Sequence, residues 1–129
     1  MPTRERIVTE RAPKPIGPYS VGIGTAGFVF ASGMLGLDPA TGELAPGGIE
    51  AETRQSLTNL AGILQAGGSS LRQVVKTTVY LREISDFARM NAVYAEFFPD
   101  EPPARTTIQA AGLPKGGAIE IEAIGAREG

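Results

Sequence analysis

Cysteine and histidine are both missing from this chain of 129 residues. The first absence removes disulfides, thiolate zinc sites and any thiol nucleophile. The second removes the usual general base and the commonest metal ligand, so proton transfer falls to carboxylates, tyrosine, lysine or water. A surplus of one charge is missing as well: 12 basic residues stand against 14 acidic ones, for a net charge of -2. The basic residues are scattered along the chain, which argues against a nucleic-acid partner. No apolar run approaches the roughly 20 residues that a membrane span requires, and the stretch Met1-Pro2-Thr3-Arg4-Glu5-Arg6 has no apolar signal core. A soluble cytoplasmic protein with no membrane partner is therefore expected.

With 42% hydrophobic and 20% charged residues, the composition is that of an ordinary globular protein. The length suits one domain, residues 1–129, able to bury about two thirds of its unfolded surface. Arg4 to Thr9 is a short polar strand candidate. The three prolines of Arg11-Ala12-Pro13-Lys14-Pro15-Ile16-Gly17-Pro18 forbid a helix and favour a rigid extended segment that delivers Tyr19 and Ser20. Val21 to Gly24 and Phe28 to Ser32 read as antiparallel strands around Thr25-Ala26-Gly27, the second ending at Ser32-Gly33. Leu37 to Leu44 is a turn.

An amphipathic helix is predicted after Gly47-Gly48, with Glu50 and Glu52 in its first turn complementing the dipole. Its stripe is Leu57, Leu60, Ala61 and Leu64, and Gly67-Gly68 stops it. Val74 to Arg82 alternates as a strand, with Val75, Thr77, Val79 and Leu81 on one face. Ser85-Asp86 caps a second helix with the stripe Phe87, Met90, Tyr94 and Phe97, ended by Pro99. Asn91 lies at the margin of that stripe, where a covered amide must find partners.

Two further strands are predicted near the C-terminus. Pro103-Ala104-Arg105-Thr106-Thr107-Ile108-Gln109-Ala110 and Ala118-Ile119-Glu120-Ile121-Glu122-Ala123-Ile124 are β-branched and roughly alternating. Gly112-Leu113-Pro114-Lys115-Gly116-Gly117 between them supplies a reversing loop. Alternation puts Glu120 and Glu122 on one face and Ile119 and Ile121 on the other. A carboxylate in so apolar a strand ordinarily points at water, which is the reading for Glu122. Arg105 has the chemistry to grip a carboxylate with two parallel hydrogen bonds, although a surface arginine looks the same in sequence. The order β-β-β-α-β-α-β-β argues an α+β domain, a mixed sheet with two helices on one face.

These segments together resemble the RidA/YjgF family of enamine/imine deaminases. Pro103-Ala104-Arg105, an alternating strand, Leu113, a short loop and Ile119-Glu120-Ile121 follow the family signature. Gly17-Pro18-Tyr19-Ser20, Ser32-Gly33, and Met90-Asn91 with Tyr94 and Phe98 are similar to its other motifs. Thr107 departs from the cysteine of many members, and Met34 from the usual glutamine. The resemblance implies hydrolysis of 2-enamine/2-imino acids, such as 2-aminoacrylate and 2-iminopropionate, to 2-keto acids and ammonia. In that reading Arg105 anchors the substrate carboxylate, while Glu120 activates water and assists the departure of ammonia. Tyr19, Ser32, the Gly33 backbone, Asn91 and Thr107 line the pocket. No metal and no organic cofactor are implied, and the ligand is a small imino or keto acid. The implied fold is similar to the barrel-forming chorismate mutase, closed into a homotrimer with its pocket between subunits. A non-catalytic trimer that binds keto acids is the alternative.

Overall fold

Period-two and period-3.6 patterns set the elements of the computed structural model, which describes residues 3–128. In chain order these are β1 (Arg4–Ile7), β2 (Gly22–Thr25), β3 (Phe28–Leu35), α1 (Gly48–Ala66), β4 (Val74–Leu81), α2 (Phe87–Phe97), β5 (Ala104–Gln109) and β6 (Ile119–Ala126). The order is the one the sequence predicts. The strands form one six-stranded mixed sheet in the order β1-β2-β3-β6-β4-β5, and β4 and β5 are its parallel pair.

The two C-terminal strands do not pair with each other, although the loop between them suggests a reversal. β4 lies between them, antiparallel to β6 and parallel to β5. A parallel pair needs a long crossover, and α2 supplies it. The loop still contains the unusual backbone angles expected of it, with φ of 58° at Lys115 and 69° at Gly116.

α1 and α2 cover one face of the sheet. Leu57, Leu60, Ile63 and Leu64 from α1, with Met90 and Tyr94 from α2, close over Val29, Val79, Ile119 and Ile121. Glycines bound α1 because L side chains resist the required backbone: φ is 78° at Gly48 and 89° at Gly68. Among the described residues no helix is long and apolar enough to cross a membrane.

Glu52 is not a surface partner of the helix dipole. It is buried at 7% exposure and accepts a 2.8 Å hydrogen bond from the Ala118 N–H. One and two turns further along, Ser56 donates to the Met34 carbonyl at 2.7 Å and Asn59 to the Leu37 carbonyl at 2.8 Å. This buried polar row ties α1 to the end of β3 and the start of β6.

Three other details differ from the sequence reading. A register shift between Val74 and Lys76 leaves Val75 46% exposed, so β4 turns Thr77, Val79 and Leu81 inward without it. Asp86 stands at the start of α2 but makes no side-chain capping bond. Its carboxylate is paired with Arg89 instead. Finally, β3 does not end at Ser32-Gly33 but continues to Leu35, with a bulge at those two residues.

Candidate active site

The bulge in β3 builds one half of the candidate site. Ala31 pairs with Ala123 and Met34 with Ile121, so Ser32 and Gly33 together face the single residue Glu122. The Ser32 hydroxyl donates to the Ser20 carbonyl at 2.6 Å, and the Ser32 N–H to the Val21 carbonyl at 2.8 Å. These bonds join the bulge to the segment leaving the prolines. A Cβ on Gly33 would lie 2.9 Å from Cδ and Oε1 of Glu120. The carboxyl thus occupies space that only a glycine leaves open.

A cavity of about 400 Å³ stands over this group, bordered by Tyr19, Ser32, Gly33, Glu120, Glu122 and the Pro114 loop. The Tyr19 hydroxyl accepts the Ile16 N–H at 3.3 Å, which folds the ring back over the proline segment at the cavity mouth. Burial raises the Glu120 pKa above the ordinary carboxylate value, and the negative charge of Glu122 raises it further. Met34 is 4% exposed and belongs to the core. Its departure from the usual glutamine therefore alters packing behind the bulge.

Arg105, Thr107 and Asn91 form a second group at the other edge of the sheet. On β5, Arg105 pairs with Thr77 and Thr107 with Val79, so both take the face covered by the helices. The Arg105 guanidinium lies over two rings of α2, with Cζ 4.7 Å from the Tyr94 centroid and 5.5 Å from that of Phe87. Its Nη1 is 4.0 Å from the Met90 sulfur. Among the described residues, the ion pairs are Arg54–Glu96, Arg89–Asp86 and Arg127–Glu5, and Arg105 enters none of them. On the same strand Thr107 Oγ1, and on α2 Asn91 Oδ1, are buried without a hydrogen-bond partner. An anionic group would relieve the unpaired, partly buried cation and can accept from the Thr107 hydroxyl, whereas Asn91 Oδ1, an acceptor, requires a donor such as an N–H.

One chain does not bring Arg105 and Glu120 together. Glu120 pairs with Tyr80 on the open face, across from the helices. Two strand spacings of about 4.8 Å each also separate β5 from β6. A small molecule held by Arg105 is therefore out of reach of Glu120 in the same chain. The open face carries Phe28, Phe30, Val75 and Ile108, each more than 40% exposed, an apolar surface of the kind that marks association. A larger groove of about 760 Å³ runs between β1, the proline segment and Asp38–Ala40 and shares Tyr19 with the cavity. It contains none of the unsatisfied polar atoms.

Sequence reasoning missed Glu52, Ser56 and Asn59, which hold the two segments that carry Gly33 and Glu120. Three polar residues on one face of a helix, at i, i+4 and i+7, were the available signal. In sequence Tyr94 belongs to the apolar stripe of α2, and its place under Arg105 depends on the crossover from β4 to β5.

Comparison with known proteins places these observations in context. The family described as Endoribonuclease L-PSP matches residues 9–127. A RutC family protein of Pyrococcus horikoshii is 51% identical over 125 residues, covering 97% of this chain and 99% of that protein. The 2-iminobutanoate/2-iminopropanoate deaminase of Bos taurus is 49% identical over 121 residues, covering 94% and 88%. The crystal structure of TdcF of E. coli with bound serine superposes with a TM-score of 0.92 at 40% identity, covering 96% of this chain and 99% of that one.

Proposed function

The chain belongs to the RidA/YjgF family, and from that premise we propose that it hydrolyses 2-imino acids and their 2-enamine tautomers to 2-keto acids and ammonia. The observation that carries the reading is Arg105, a partly buried guanidinium with no carboxylate partner among the described residues, on the strand that carries the unsatisfied Thr107 Oγ1 and packed on the helix that carries the unsatisfied Asn91 Oδ1. Its donors match a substrate carboxylate in two-pronged geometry. The bovine relative is named for this chemistry. TdcF holds serine, a small molecule with the same carboxylate.

The active assembly is a homotrimer in which Arg105, Asn91 and Thr107 of one subunit meet Tyr19, Ser32, Gly33 and Glu120 of the next. Two features support it: the groups lie on opposite faces of one chain's sheet, and the open face is rich in exposed apolar residues. Glu120 in its ionised form accepts a proton from water as the water oxygen bonds to C2 of the imine. That proton passes to nitrogen to complete the carbinolamine; Glu120 then takes the C2 hydroxyl proton and delivers it to the same nitrogen, and as the C2 carbonyl forms the C–N bond breaks and ammonia leaves. The raised pKa of Glu120 suits both halves of this exchange. The family description names an endoribonuclease, but a chain with no histidine and a net charge of -2 offers little for that chemistry.

An assay in which an amino-acid oxidase generates imino acids tests the proposal. Their decay should accelerate in the presence of the protein, with release of keto acid and ammonia. Saturable binding of 2-oxobutanoate with no acceleration would leave the non-catalytic binding protein as the better account.

A further inference from the structure

Arg105 needs a device that holds it, because an arginine side chain has many rotamers and a two-pronged grip demands a fixed plane. Among the described residues no carboxylate does so. The contacts come from α2: Tyr94 at 4.7 Å and Phe87 at 5.5 Å from Cζ. Tyr94 is itself held. It is 5% exposed, and Phe98 packs against it with ring centroids 4.7 Å apart. A 2.7 Å hydrogen bond joins its hydroxyl to Thr77 Oγ1, and Thr77 is the strand neighbour of Arg105 in the β4–β5 register. The ring is thus pinned to the backbone position whose neighbour carries the arginine.

We propose that Tyr94 is a positioning residue for ligand binding, fixing the guanidinium plane of Arg105 with Phe87 as its second aromatic wall. The inference rests on the reading of Arg105 as the carboxylate anchor. Contact through the ring faces leaves the N–H edge of the guanidinium open except for the weak contact of Nη1 with the Met90 sulfur, and that edge holds the donors a carboxylate requires. The negative ring faces also offset part of the missing counter-charge without competing for those donors. A carboxylate partner would do the opposite, occupying the N–H edge that the ligand needs. Burial keeps the Tyr94 hydroxyl protonated by raising its pKa, despite the opposing effects of Thr77 and Arg105, so the tether to Thr77 survives across the working range.

The test compares Phe87→Leu, Tyr94→Leu and Tyr94→Phe with wild type and Arg105→Lys, using oxidase-generated imino acids for kcat and KM and 2-oxobutanoate for binding. Loss of a ring should raise KM about 3-fold for Phe87→Leu and about 10-fold for Tyr94→Leu, with kcat changed less than about 2-fold. Tyr94→Phe, which keeps the ring face, should recover most of the loss. Phe87 is 41% exposed, so Phe87→Leu decides alone if Tyr94→Leu does not fold. An unchanged KM in the folded leucine variants overturns the proposal, as does an equal defect in Tyr94→Phe and Tyr94→Leu. If Arg105→Lys itself binds and turns over normally, the anchor assignment fails. If Arg105→Lys is impaired while the ring variants are not, only the positioning role fails.

Discussion

Glu120 and Glu122 occupy one face of one strand, yet their surroundings differ. Glu120 is partly buried against Gly33, whereas Glu122 is exposed. Glu120→Gln keeps size and shape while removing the base, so kcat should fall on the order of 10²- to 10⁴-fold. Binding of 2-oxobutanoate should survive in that variant, and titration calorimetry beside the imine assay separates the two effects. Glu122 is more than a solvated bystander, because its charge raises the Glu120 pKa. In Glu122→Gln the negative neighbour is gone, ionisation of Glu120 becomes easier, and its pKa falls. Since the ionised form is the base, the acid limb of the kcat/KM profile should move to lower pH. Lys14, which lines the same cavity, and the neutral Tyr80, the strand neighbour of Glu120, are unchanged in this variant. An acid limb that stays in place would show that Glu120 ionisation does not set it.

Among the elements, the bulge of β3 and the polar row of α1 are what aim these residues. Gly33 has no left-handed backbone, so alanine is conformationally acceptable there. The added Cβ would nonetheless meet the Glu120 carboxyl at 2.9 Å. Gly33→Ala should fold normally and lose about 10²-fold in kcat, the effect of misplacing a reacting group by an ångström. A normal melting temperature with low activity is the expected pair of results. The α1 row acts on stability first. Glu52→Ala leaves the buried Ala118 N–H without its acceptor, which should lower unfolding stability by about 1–3 kcal/mol in a denaturant titration. Glu52→Gln retains an acceptor oxygen and should recover most of that loss.

At the scale of the molecule, the proposed site draws on both faces of the sheet, and on that proposal assembly is part of the chemistry. Arg105→Lys and Glu120→Gln should each be weakly active alone. When the two variants are denatured together and refolded, about one quarter of the sites would combine an intact Arg105 group with an intact Glu120 group, if equal amounts of subunits mix at random. Activity should therefore reappear on mixing, and light scattering should report a trimer mass before and after. Two inactive variants that stay inactive in mixed oligomers would refute a site shared between subunits.

The sequence by itself determined the local terms: the order of eight elements, the limits of α1 at glycines 47–48 and 67–68, and the alternation that sets Glu120 beside Glu122. Through motifs it also nominated candidate residues on both faces of the sheet, because these are short-range patterns of residue type. The tertiary structure decided everything that depends on which strands become neighbours. Insertion of β4 between β5 and β6 puts Arg105 beneath the helices and Glu120 on the open face, and no local signal in either strand carries that information. The same holds for the bulge at Ser32-Gly33, which reads in sequence as a strand end, and for Glu52, whose partner Ala118 lies 66 residues away. Strand order and buried polar pairing are settled by long-range contacts that bury one face of the sheet and satisfy its backbone, and those contacts come into being only when the whole chain closes on itself.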